Sequence, residues 1–310
     1  MSTQLTRRQT IRLLSGTLAL PFLTPPPALG NASPVRVRPV PASGESLPVI
    51  GMGTWRTFNV GSDPGLRQAR TQVLATFFER GGRVIDCSPM YGSSADVLGD
   101  ALNRLSVPSD LFAAEKVWTG DGSATAEQVT EQRQEWDIER FDLMQIHNLL
   151  SWREHLRNLR DMKESGKIRY IGITTSHGRR HGDLEQIMAS EPLDFVQLTY
   201  NITHREAEQR LLPLAQDKGI AVIANRPFDG GYLIKRLKRD YQVPDWAAQE
   251  CDCQSWAEFL LKFIVSQPSI TCAIPATTRI SHMQENMDAI RGELPDAQLR
   301  RRMARHIESL

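Results

Sequence analysis

Four residues could do chemistry together: an acid at 86, a phenol at 91, an ammonium at 116 and an imidazole at 147. Asp86 ends the apolar run "RVID", Tyr91 follows it, Lys116 stands late in "LFAAEKVW", and His147 ends "FDLMQIH". A free phenol has a pKa of about 10, too high for efficient proton transfer near neutrality. An ammonium beside it stabilises the phenolate and lowers that value, and an acid behind the lysine keeps it charged and in place. A neutral imidazole can hydrogen-bond a carbonyl oxygen and orient it. The set suits protonation of an oxygen while something else attacks its carbon. The chain has no G-x-S-x-G and no cysteine placed beside a histidine, so the natural missing partner is a hydride donor. Each residue alone has a plainer reading. Asp86 could cap a helix, although Ser93 and Ser94 are nearer caps; Lys116 could be a rim cation, and His147 a hydrogen-bonded core histidine.

Something must bring these positions together. From Leu47 onward one rhythm recurs eight times: a short apolar run, a polar turn, then an amphipathic stretch. "VIGMGTW" precedes a segment with Leu66, Ala69, Val73 and Phe77 at helical spacing, and "FDLMQIHN" precedes one with Trp152, His155, Leu156, Leu159 and Met162 on one face. Runs this apolar suit parallel strands covered on both faces. Gly82, Gly166 and Gly219 stand where helices should stop. Eight strand–helix units predict a single-domain α/β fold, a (β/α)8 TIM barrel, rather than an open sheet. In such a barrel the chemistry sits at the C-terminal ends of the strands, where Asp86, Lys116 and His147 fall. "GMGTW" is not a phosphate-binding G-x-G-x-x-G, because its glycines lie within the strand and no helix opens there. "VRVRPVPASGESLPV" precedes the first strand and could form a hairpin closing the barrel floor.

The 310 residues are 40% hydrophobic with a formal charge of +1. That balance argues against a nucleic-acid groove. Cys87, Cys251, Cys253 and Cys272 show no metal-ligand spacing, no metal site is expected, and Cys251 and Cys253 are too close for an easy disulfide. The start of the chain differs. Arg7, Arg8 and Arg12 precede an uncharged run from Leu13 to Leu23, followed by prolines and small residues. This is the pattern of a signal peptide over residues 1–32, too short to leave a membrane span in the mature form. The paired arginines point to the twin-arginine export machinery, with Thr10 where a phenylalanine is commoner. The expected location is periplasmic or exported; a basic tail or an uncleaved anchor is the alternative, and the protein is cytoplasmic if the leader does not function. Residues 33–46 then form the linker and hairpin, and 47–310 the barrel.

Over most of its length, from about Leu47 to Ile290, the chain resembles the aldo-keto reductase superfamily. The pieces are "GMGTW", "DCSPMYGSSADVLG", "AAEKVW", "FDLMQIHN", "GKIRYIGI", "FVQLTYN" and "IPATTRISHMQEN", in that order. The resemblance implies that Tyr91, Lys116, Asp86 and His147 are the catalytic tetrad. Tyr91 would be the proton donor, tuned by Lys116 and Asp86, and His147 would position the substrate carbonyl. It further implies cofactor contacts at Gly53, Thr54, Gln197, which would hold the nicotinamide carboxamide, Thr277, and Asn286, which would meet adenine. Thr174 and Thr175 replace the usual Ser-Asn, and Asn225, followed by Arg226, stands where an aromatic often stacks on nicotinamide. Ala276 and His282 replace the usual lysine and arginine for the 2′-phosphate, with Arg279 between them and able to reach a phosphate. NADPH is the cofactor implied by family habit, and NADH is possible.

Trp55, Met90 and Trp118 are expected to line an apolar pocket for a small carbonyl substrate, an aldehyde or a ketone. The polar stretch from Asp229 to Gln254 reads as a long loop enclosing cofactor or substrate. Two other functions compete with a reductase. One is a nicotinamide-binding redox sensor with little turnover. The other is a Schiff-base aldolase using Lys116, which would need a neutral lysine.

Overall fold

The computed structural model describes residues 34–310; the leader expected over residues 1–32 lies outside them. The described chain opens with an antiparallel hairpin, β1 (Val37–Pro39) and β2 (Ser46–Pro48), with Val37 opposite Pro48. Arg38 extends from it and donates to the carbonyls of Val265, Gln267 and Ile270 at 2.6–2.7 Å. A guanidinium with five donors suits such a cluster of carbonyls.

Eight parallel strands follow: β3 (Met52–Gly53), β4 (Val84–Asp86), β5 (Phe112–Val117), β6 (Phe141–His147), β7 (Ile168–Thr174), β8 (Phe195–Thr199), β9 (Ala221–Asn225) and β10 (Cys272–Ala273). Between them run α1 (Pro64–Glu79), α2 (Ser94–Asn103), α3 (Thr125–Trp136), α4 (Trp152–Glu164), α5 (His181–Ser190) and α6 (Leu211–Lys218). The seventh connection holds three helices, α7 (Tyr232–Asp240), α8 (Asp245–Cys251) and α9 (Trp256–Val265); α10 (Ile280–Asp288) and α11 (Ala297–Glu308) complete the chain. The strands pair in chain order from β3 to β10. Ile50 bridges Ala273 in parallel, and Gly53 donates to the carbonyl of Pro275 at 3.0 Å, bringing the two ends of the sheet together. This is the (β/α)8 barrel that the eightfold rhythm predicts.

The glycines of "GMG" explain this seam. A Cβ on Gly51 would lie 2.8 Å from the Val84 carbonyl oxygen, and one on Gly53 would lie 2.9 Å from that of Ile274. Both glycines are there because neighbouring strands approach too closely for a side chain.

Strand alternation sorts the interior by depth. Val84, Phe112, Leu143, Tyr170, Phe195, Ala221 and Ile223 share one apolar cluster with Leu47 of the hairpin. Two or four residues further along the same strands, on the same side, come Asp86, Lys116, Gln145, Thr174, Gln197 and Asn225. The barrel is thus filled with hydrocarbon and aromatic rings low down and polar groups near its C-terminal mouth. Residues of opposite parity, such as Ala113, Val117 and Ile146, join the second cluster, which packs the strands against the helices.

The stretch expected to be a long loop after β9 is helical. Leu233 and Leu237 bury one side of α7, and Ala247 and Cys251 one side of α8. Polar residues between them obscured that period. Cys251 and Cys253 are both buried with their sulfurs 3.3 Å apart as free thiols.

Candidate active site

The mouth of the barrel opens into a cavity of about 650 Å³. Lys116 stands just beneath it, only 1% exposed, and donates to Asp86 Oδ2 at 2.6 Å and to the Cys87 carbonyl at 2.5 Å. Asp86 is 2% exposed, and its other oxygen accepts from Gln145 Nε2 at 3.0 Å and Gln197 Nε2 at 2.7 Å. A buried carboxylate must have its lone pairs met, and here an ammonium and two amides meet them. Burial pushes the Lys116 ammonium toward deprotonation, but Asp86, with Tyr91 and Glu115, outweighs it, so the displacement is upward. The lysine is therefore a fixed cation.

Tyr91 lies in the short 3₁₀ turn Pro89–Tyr91 that follows β4. Ser88 starts the turn by accepting from the Met90 N–H at 3.3 Å, and Asn59 fastens its exit by accepting from Ser93 N–H at 3.1 Å. The Tyr91 ring stands edge-on to His147, 5.9 Å between centres, with Lys116 Nζ 5.1 Å from its own centre. Its pKa departs from expectation. Burial raises the phenol above its ordinary value, and Lys116 only partly reverses this. Tyr91 thus rests as a protonated phenol, with the cation positioned to ease loss of its proton.

His147 lies within hydrogen-bond distance of Ser88, 2.7 Å from Nδ1 to Oγ. The serine oxygen accepts from Met90 and has its own hydrogen to give to Nδ1. With the serine as that donor, the ring proton sits on Nε2. Burial first, and Lys116 second, lower the His147 pKa to about 3, so the ring is neutral at ordinary pH.

Of the residues assigned by resemblance, Gly53, Thr54, Thr174, Gln197, Asn225, Arg226, Thr277, Arg279 and Asn286 all line the cavity, as do Trp55 and Met90. Two do not. Thr175, just past the end of β7, is buried and outside the cavity lining, and its hydroxyl, like the amide nitrogen of Asn286, has no hydrogen-bond partner. Trp118 is 43% exposed, because Gln128 of α3 holds its backbone N–H (2.7 Å) and carbonyl (3.3 Å) and turns the chain outward. Gln197 is largely engaged within the protein: its Oε1 accepts from Thr174 at 3.1 Å while its amide nitrogen serves Asp86. Asn225 likewise accepts from Thr199 at 2.7 Å and donates to the Thr175 carbonyl at 2.8 Å. Asn286 is different, for its buried Nδ2 has no hydrogen-bond partner.

Ser88 and Gln145 are missing from the sequence-derived site. Gln145 precedes His147 by two on one strand and so shares its side of the sheet. Glu115 is buried too, but on the back of β5, where it accepts from Trp136 Nε1 at 3.0 Å. From the seventh connection, Gly230, Gly231, Ile234, Lys235 and Lys238 reach the cavity wall. No cluster of three or more potential metal ligands occurs among the described residues, and no described helix is long and apolar enough to cross a membrane.

A family model described as "Aldo/keto reductase family" matches residues 49–304. A methylglyoxal reductase of Escherichia coli (strain K12) is 27% identical over 259 residues, covering 82% of this chain and 89% of that protein. An NADH-specific methylglyoxal reductase of the same organism is 25% identical over 336 residues, covering 87% and 98%. Among solved structures, an aldo-keto reductase from Klebsiella pneumoniae in complex with NADPH superposes with a TM-score of 0.74 at 22% identity, covering 88% of this chain and 96% of that one. At that identity the superposition speaks for the fold.

Proposed function

This chain belongs to the aldo/keto reductase family, and from that premise we propose that it reduces the carbonyl of small aldehydes or ketones with NADPH or NADH, Tyr91 giving the proton. The observation that carries the reading is the buried Lys116–Asp86 pair directly behind a cavity-facing phenol and imidazole.

The cavity fits a nicotinamide dinucleotide on its own evidence. The unpartnered amide nitrogen of Asn286 calls for an acceptor from a ligand. Arg279 and Thr277 flank the same wall, and Thr54 and Gly53 form the wall beside Asp86. NADPH-bound and NADH-specific relatives both fit this range. When bound, the nicotinamide supplies a hydride to the carbonyl carbon. The protein handles the oxygen. His147 Nε2–H donates a hydrogen bond that fixes the carbonyl, and its low pKa keeps it from competing as an acid. Tyr91 gives its proton to that oxygen, and Lys116 stabilises the phenolate left behind. Asp86, bonded to Lys116, Gln145 and Gln197, keeps the cation in place.

The fixed positive charge on Lys116 disfavours a Schiff-base aldolase, which needs a neutral amine. The redox sensor remains the alternative, favoured by the internal engagement of Gln197 and Asn225. Titration of NADPH, read by tryptophan fluorescence, followed by mixing with a panel of aldehydes, separates the two. Saturable binding with oxidation of the bound NADPH is expected. Binding without oxidation would support the sensor, and no binding would refute both.

The leader belongs to this proposal as well. The paired arginines and short apolar run at 7–23 support twin-arginine export to the periplasm, a route that carries folded proteins. Substituting both Arg7 and Arg8 by lysine should retain the precursor in the cytoplasm; unchanged fractionation would refute it.

A further inference from the structure

The cavity is more basic than the chain around it. Arg56, Arg226, Lys235, Lys238 and Arg279 line it against Asp86 and Glu285, although the formal charge of the whole protein is +1. Both acids are already matched, Asp86 to Lys116 and Glu285 to Lys238 at 2.5 Å. Lys238, Arg279 and Asn286 belong to one wall, built by α7 and the approach to α10. Arg56 stands elsewhere, in the loop after β3.

That loop is tied to the proton donor. Thr54 Oγ1 donates to the Asp86 carbonyl at 3.0 Å, and Asn59 accepts from Ser93, two residues after Tyr91. Buried Arg70 donates to the Thr57 carbonyl, holding the loop from behind. Between these anchors Arg56 takes a left-handed backbone conformation (φ 62°) and lays its guanidinium 4.4 Å from the centre of the Trp55 ring. Arg226, also left-handed (φ 52°) at the end of β9, approaches that ring to 5.8 Å. Two guanidiniums therefore converge on one indole at the cavity wall. Arg56 makes no ion pair among the described residues, and Arg226 has only Asp229, at 3.4 Å. Non-glycine residues in this backbone region are uncommon and cost energy, and here two of them present permanent cations to the same space.

We propose that Arg56 and Arg226 form an anion-binding subsite beside Tyr91, and that the preferred substrates are carbonyl compounds bearing a carboxylate or similar acidic group. The inference rests on the reductase reading and narrows its substrate class. A guanidinium can hold a carboxylate through two parallel hydrogen bonds, and the Trp55 ring braces the exposed Arg56 at 4.4 Å and the half-buried Arg226 at 5.8 Å. The carboxylate lies against the arginines while the carbonyl lies between Tyr91 and His147.

The test compares 4-carboxybenzaldehyde with its methyl ester, two aldehydes differing mainly in that charge, in the wild type and in Arg56→Gln and Arg226→Gln. Wild type should favour the acid in kcat/KM, with added salt eroding the preference. Arg56→Gln should lose about tenfold or more on the acid and little on the ester, with NADPH affinity unchanged, and Arg226→Gln should lower the acid-to-ester ratio in the same direction. Equal losses on acid and ester, or no preference in wild type, would overturn the subsite. So would weakened NADPH binding with the acid-to-ester ratio intact, which would give the arginines to the cofactor phosphates. Binding of terephthalate to the NADP-loaded protein, measured by calorimetry, keeps the two readings apart. Binding that either variant abolishes, without turnover of any aldehyde, would sink the reductase reading and leave the subsite standing; no binding would sink the subsite.

Discussion

Two tyrosines lie under a cation at opposite ends of the barrel. At the mouth Lys116 Nζ is 5.1 Å from the centre of Tyr91, and at the floor the Arg169 guanidinium is 5.1 Å from the centre of Tyr170. Both cations hold an acid at 2.6 Å, Asp86 above and Asp142 below. Burial raises both phenols. The hydroxyls differ. That of Tyr170 lies 2.6 Å from Ser43 Oγ and 2.7 Å from Glu45 Oε2, and its ring packs on Phe112 and Phe195. That of Tyr91 has no hydrogen-bond partner among the described residues and faces the cavity. A cation over a phenol is therefore not enough to make a site. A hydroxyl left free beside space for a ligand is what separates the mouth from the floor.

Paired substitutions at the two ends should break this symmetry most sharply. Tyr91→Phe removes the proton donor and should lower kcat by about 10²- to 10⁴-fold with NADPH affinity nearly unchanged, read by steady-state kinetics and fluorescence titration. Tyr170→Phe should leave turnover almost intact and cost about 1–3 kcal/mol of stability for the lost contacts with Ser43 and Glu45. A comparable loss of turnover in both variants would remove the distinction. The cations come next. Lys116→Met leaves Asp86 buried without its counter-charge and should cost about 3–5 kcal/mol in denaturant unfolding. Adding Asp86→Asn should restore much of that stability but none of the rate. Arg169→Met should cost less, because Glu45 and Asp142 both keep some contact with water.

The sequence revealed the barrel because each strand ended in a turn and each helix began with its own apolar period. It revealed the mouth because Asp86, Lys116 and His147 interrupt apolar runs at equivalent depths. Strand alternation also reaches the rest of the polar layer. Counting back two from His147 reaches Gln145, and counting on two from Gln197 reaches Thr199, and both belong to the polar layer. Ser88 was not legible, since its contact with His147 depends on a turn bringing β4 and β6 residues together. Trp118, just after β5, lies outside the cavity lining, with its backbone held by Gln128 of α3, ten residues on, a contact that residue types do not report. Nor could composition show that burial outweighs Lys116 at Tyr91: that balance depends on depth, which residue types alone do not report.

Glu115 sharpens the comparison with the smallest effect. It adjoins Lys116 in sequence but points the other way, accepting from Trp136 Nε1 at 3.0 Å and from the Lys116 backbone N–H at 2.8 Å. Burial raises its pKa to about 8, with Lys116 pulling in the opposite direction. The folded value lies above the unfolded one of about 4.3, so between them the native state holds a proton that the unfolded state has released. Its contribution is complete below the unfolded value and is lost as pH rises through about 8. Each tenfold difference in proton affinity is worth about 1.4 kcal/mol, so stability should fall by at least about that much between pH 5 and 9. Glu115→Gln should abolish this fall, measured as the difference in unfolding midpoint between wild type and variant across that range, while kcat/KM stays near wild type. If the variant instead lost turnover and kept the pH slope, Glu115 would act through Lys116, and the division between mouth and scaffold would lie behind β5 rather than at it.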